Sequence, residues 1–209
     1  MFLIEKIDNG FQLLSLGICL ALSLYRAFSS RNQIWGLLAM FYGAAALGNL
    51  YWFLYMVLFE QTPYYSFISD YCWVSGFLFL LLLMLQIRKS EWEWKRSFVS
   101  ILIPVFTFGM ALFYMQWGDY LTNIFYAACM SFLLNSSIQG IKLAEKKTGR
   151  YYLFLCVLMY CAIEYCLWTS SCIPGDSYDV LYYIFDVILT LIQIQFYPAV
   201  RRLIRDELY

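Results

Sequence analysis

Two carboxylates stand inside otherwise apolar stretches of this chain, and any chemistry it performs is to be sought around them. Glu164 lies about two turns inside an apolar run that ends at Cys172. Asp186 lies at a similar depth in the next run. Ionisable groups are costly in hydrocarbon, so those retained there usually serve a function. Tyr160, Glu164 and Trp168 recur at i, i+4 and i+8, a spacing that puts them on one helical face. Tyr182, Tyr183, Asp186, Thr190 and Gln193 form a polar stripe on the following helix. Asn49 and Trp52 fall at comparable depth in the second run, with Tyr55 nearer its end, and Asp70 and Trp73 open the third. Converging, these faces line an acidic and aromatic pocket. The expected ligand-binding set is Glu164, Asp186, Tyr160, Trp168, Tyr182, Tyr183, Asn49, Trp52, Asp70 and Trp73. Ring faces attract cations, so carboxylates among aromatics suit an organic ammonium. A close carboxyl pair also suits a proton-linked site.

Plainer roles compete for each residue. A protonated Glu164 can hydrogen-bond across helices, which is worth about 1 kcal/mol in lipid. Asp70, Asp119 and Asp176 sit near helix starts, where an acid caps free amides and favours the dipole. Ala44, Ala45 and Gly48 precede Asn49 and permit close helix packing. Ser131, Asn135 and Gln139 read as contacts between helices.

Other chemistries are excluded. Histidine is absent, which removes the commonest base and metal ligand. The seventh run lacks a lysine for a retinal Schiff base. No GxSxG or phosphate-binding glycine loop occurs. Glu164 and Asp186 imitate the two-carboxylate dyad of an intramembrane aspartyl protease, without further support around them. Enzyme activity is therefore the least expected class, and no cofactor or metal is implied. None of the seven cysteines forms a CxxC pair. Cys156, Cys161 and Cys166 scatter around a helix and read as packing residues, whereas Cys72 and Cys172 lie near helix ends on one side, where a disulfide could form. Formal net charge is zero, which makes nucleic acid an unsuitable partner.

The elements that must position these groups are membrane spans. Of 209 residues, 63% are hydrophobic and 13% charged, against about 25% charged in a soluble domain. Apolar runs near 9–27, 34–58, 65–87, 97–115, 119–141, 151–172 and 178–199 each approach the roughly 20 residues that cross a bilayer core. Glu5, Lys6 and Asp8 precede the first run and no cleavage site follows it, so it reads as a retained helix. Apart from Lys6, every lysine and arginine falls in alternate connections or after the last run: Arg26 and Arg31; Arg88, Lys89, Lys95 and Arg96; Lys142, Lys146, Lys147 and Arg150; Arg201, Arg202 and Arg205. The positive-inside rule makes that side cytoplasmic. The expected fold is an all-α integral membrane protein, a seven-transmembrane-helix bundle with its N-terminus outside and its C-terminus cytoplasmic. Residues 1–209 read as one polytopic domain with short loops. Trp35, Trp92, Trp94 and Trp117 fit interfacial belts.

Pro63 and Pro174 precede the third and seventh runs, and Asp70 and Asp179 follow them, as in two three-helix units joined by a fourth helix. Seven helices in about 210 residues resembles the 3+1+3 plan of small sugar transporters, whose proline–glutamine signature is missing here. The N-out, C-in plan resembles that of receptor-type sensor domains. The expected function is binding or sensing of a small cationic ligand that enters from outside, read by a cytoplasmic or membrane protein partner. The alternatives are a small proton-coupled solute transporter and an accessory subunit of a membrane complex. Composition suggests a bacterial protein of the cytoplasmic membrane, with the lipid bilayer as its solvent.

Overall fold

The computed structural model describes residues 2–63, 66–88, 98–172 and 176–208. Among these residues every element is a helix: α1 (Phe2–Ser30), α2 (Gln33–Phe59), α3 (Phe67–Gln86), α4 (Phe98–Tyr114), α5 (Tyr120–Leu143), α6 (Gly149–Cys172) and α7 (Asp176–Leu208). Six are long and apolar enough to cross a membrane, and α4 is a shorter apolar helix. Its 17 residues span about 25 Å, a little less than the roughly 30 Å hydrocarbon core. The exposed surface is that of a lipid-facing bundle: Phe28, Leu58, Ile101, Leu112 and Phe132 point outward while Asn49, Glu164 and Asp186 are buried. The fold is a seven-helix membrane bundle, as its composition implies.

Helices α1, α2 and α3 pack in order, as do α5, α6 and α7, and α3 meets α5 while α7 returns to α1. The six form a closed ring. Helix α4 stands outside it against α5 and reaches α6 through Phe106 on Tyr165, with ring centroids 5.1 Å apart. Ser100 Oγ on α4 donates to Asn135 Oδ1 of α5 at 3.2 Å and accepts from Gln139 Nε2 of α5 at 3.3 Å. This is the interhelical polar contact that the α5 stripe suggested. Within lipid, apolar surface gives helices little reason to associate, so close packing and such polar contacts hold the bundle.

Sharp turns follow from local chemistry. Arg31 takes a left-handed conformation (φ 52°), and Asn32 caps α2 by accepting from the Ile34 N–H at 2.9 Å. Asp119 caps α5 by accepting from the Thr122 N–H at 2.8 Å.

The ends of two helices differ from the expected spans. Helix α1 starts at Phe2, so Glu5, Lys6 and Asp8 are helical instead of preceding the helix. Helix α7 continues past Pro198 to Leu208, although proline removes one backbone hydrogen bond. Packing maintains it there, because Val200 and Leu203 are buried. Gly149 lies against this extension so closely that a Cβ would stand 2.2 Å from the Leu203 nitrogen. The Gly149 N–H donates to Asp206 Oδ2 at 2.6 Å, Arg150 pairs with Glu207, and Arg202 donates to the Lys147 carbonyl at 2.6 Å.

Trp35 is buried and packs on Tyr197, so it belongs to the core and not to an interfacial belt. Cys72 and Cys172 are both free thiols. Lys89, Trp92, Trp94, Lys95, Arg96 and Pro174 lie outside the described residues, as do the side chains of Asp176 and Asp179.

Candidate functional site

The ring encloses a cavity of about 510 Å³ at the end of the bundle that carries the N-terminus. The described lysines and arginines of the connections lie at the other end. Trp117, Gly118 and Asp119 are exposed at its mouth, and Phe41, Phe77 and Gln193 lie toward its floor. Each helix of the ring contributes to the lining. The periodicity of 3.6 residues per turn aims Glu5, Asn9 and Gln12 of α1, Ala45, Asn49 and Trp52 of α2, and Tyr160, Glu164 and Trp168 of α6 into the same space.

Two lines of polar groups run along the chamber lining. On the first, Asn49 Nδ2 donates to Gln12 Oε1 at 2.8 Å and Trp73 Nε1 donates to Asn49 Oδ1 at 3.1 Å. Gln12 continues the line to Asp186. Nearer the mouth, Trp52 Nε1 reaches Glu5 Oε1 at 3.4 Å and its ring packs on Trp73. On the second, Glu164 has Tyr160 and Trp168 as polar neighbours one turn to either side, and Tyr160 approaches Gln193. The Trp168 ring lies on Tyr126, 4.9 Å between centroids. Glu164 and Asp186 are close enough across the cavity for their charges to interact.

Asp70 accepts from Ser66 Oγ at 2.9 Å, near the cavity mouth. Asp119 accepts from both the backbone N–H and hydroxyl of Thr122, and these bonds hold its carboxyl below the ordinary carboxylate range. Asn123 is buried in the wall, and among the described residues its side-chain carbonyl has no hydrogen-bond partner. Among the described residues, five carboxyl groups thus face one cavity: Glu5, Asp70, Asp119, Glu164 and Asp186. Among the same residues, no lysine or arginine lines it.

Nine of the ten residues expected from sequence line this cavity: Glu164, Asp186, Tyr160, Trp168, Tyr182, Asn49, Trp52, Asp70 and Trp73. Tyr183 stands elsewhere, in an apolar groove on the outer surface with Ile4 and Ile184. The Thr190 hydroxyl donates to the Asp186 carbonyl at 3.0 Å. Glu5, Asp8, Asn9 and Gln12 stand outside the expected set: the first two precede the expected span, and Asn9 and Gln12 fall in its first turn. Their spacing of three to four residues is itself a helical stripe, and it was the available signal.

Fold and cavity together define a multi-pass helical membrane protein with an acidic, aromatic chamber at one end. No protein-family model matches the chain, and neither a curated protein nor a solved structure does.

Proposed function

We propose that this protein is a membrane receptor for a small organic cation, which enters the chamber from outside the cell. The observation that carries this reading is the composition of the chamber wall: among the described residues, five carboxyl groups stand with Trp52, Trp73, Trp117, Trp168, Tyr160 and Tyr182, and no lysine or arginine lines it. Carboxylates supply net charge and the rings supply faces that attract a desolvated cation. A chamber of about 510 Å³ falls within the usual range for small-ligand pockets. The bias of lysine and arginine to the opposite end makes that end cytoplasmic and the chamber mouth external. The location is then the cytoplasmic membrane of a bacterial cell, and a protein partner at the basic end reads the occupied state.

Thermal stability of the purified protein in detergent, against primary amines, quaternary ammonium ions, metal cations and neutral solutes, tests the reading. Organic cations raise the melting temperature, and Glu164→Gln or Asp186→Asn each lose about 2 kcal/mol of binding energy, more than tenfold in affinity. Equal stabilisation by neutral solutes, or full binding by both variants, would sink it. Flux into liposomes separates the receptor from proton-coupled transport.

A further inference from the structure

The mechanism of cation binding does not use Asp8, and this residue carries a second inference. Asp8 is 6% exposed and lies in α1 behind the chamber wall. Its carboxyl meets that of Asp186 on α7, yet no N–H or O–H group elsewhere in the described chain reaches either of its oxygens. Two ionised carboxylates in contact repel, and in a low-dielectric setting the repulsion is large. A single proton between them replaces that repulsion with a strong hydrogen bond, and it satisfies one of the two Asp8 oxygens that lack a donor.

We propose that Asp8 and Asp186 form a proton-binding site that joins α1 to α7. The groups facing the pair leave the proton as the simplest neutralising partner. Gln12 of α1 reaches Asp186, and Glu164 of α6 and Tyr182 of α7 stand near the pair. One shell further out Glu5 lies near Tyr182, while Asn49 and Trp52 of α2 bond to Gln12 and Glu5. Lys6 is two residues from Asp8 on the same helix, a spacing that turns it to a different face. The proposal rests on the chamber reading only for its consequence: the proton sets the charge that the back wall presents to a cation.

Infrared spectroscopy of the ligand-free, full-length protein tests the site directly. At neutral pH in sodium-free buffer, a carbonyl band of one protonated carboxylic acid per chain is expected. It disappears in Asp8→Asn and in Asp186→Asn and persists in Glu164→Gln. Each of the first two variants can still fold, because an asparagine amide donates to the remaining carboxylate. The site is overturned if the wild type lacks the band, if both aspartate variants keep it, or if only Glu164→Gln loses it. Loss of the band on adding sodium at constant pH would assign the pair to a metal cation and overturn the proton. This assay needs no ligand. A negative result leaves the cation chamber standing, whereas failure of every amine to stabilise the protein removes the chamber reading and leaves the proton site.

Discussion

The side-chain amide of Asn49 donates to the side-chain oxygen of Gln12 at 2.8 Å, and this bond joins α2 to α1 within the chamber wall. Asn49 also accepts from Trp73, so one residue connects three helices. Asn49→Ala strands a buried acceptor and an indole donor together. Such contacts are worth about 1 kcal/mol each between membrane helices, and the open chamber lets water replace part of the loss. A drop in detergent stability of about 1 kcal/mol is expected. Asn49→Asp should recover some of it, because the Gln12 amide can turn to donate. If Asn49→Ala melts with the parent, the three-helix connection has no energetic weight.

Gly48 allows α3 to lie close to α2 beside that connection. A Cβ there would stand 2.8 Å from Trp73 Nε1 and 3.2 Å from Cys72 Cβ. The indole must move, and its bond to Asn49 breaks. Gly48→Ala should cost about 2 kcal/mol, within the range for overpacked interiors, and should shift tryptophan emission. Unchanged emission and stability would show that the wall yields at this point.

At the basic end the close contact is with backbone, which cannot turn aside. A Cβ on Gly149 meets the Leu203 nitrogen at 2.2 Å. Gly149→Ala should cost about 3 kcal/mol and release the end of α7. Trypsin then cuts more rapidly at Arg201, Arg202 and Arg205 than in the parent. Equal cleavage rates would mean that the α5–α6 turn does not restrain this end.

Asp119 supplies the pH dependence. Its folded carboxyl titrates lower than in the unfolded chain, chiefly through the bonds from Thr122. Its contribution is therefore full above the unfolded value and is lost as pH falls through the folded one. Asp119→Ala should melt slightly below the parent at neutral pH, and the gap should close in acid, because a protonated aspartic acid is a poor acceptor for the α5 amides. A gap that widens in acid would contradict the sign.

Much of the fold was legible because lipid imposes a coarse rule. Runs of apolar residues must be helices, since a bilayer satisfies no backbone group, and each of the seven runs coincides with a helix. The ends were less legible. The apolar run ended near residue 199, but Val200 and Leu203 are buried and Gly149 packs on the Leu203 backbone, and α7 continues to Leu208; tertiary contacts of that kind are invisible in one sequence. In the chamber, Glu164 and Asp186 were conspicuous as lone acids in apolar surroundings. Asp8 was not, because near Glu5 and Lys6 it resembles an ordinary polar flank. Only the return of α7 to α1 shows that its side chain is buried. Tyr183 illustrates the opposite limit: it is adjacent to Tyr182 in sequence, yet about 100° of helical rotation turns it to the outer groove.

The return of α7 to α1 also constrains how the molecule is made. The chain emerges from the ribosome N-terminus first, so α1 enters the bilayer long before α7 exists. Until α7 arrives, Asp8 has no carboxyl to face and the ring has a gap on one side. Closure is a contact between helices far apart in sequence, a kind that forms slowly. The newborn bundle therefore remains an open arc until α7 is inserted, and only then does it enclose an interior.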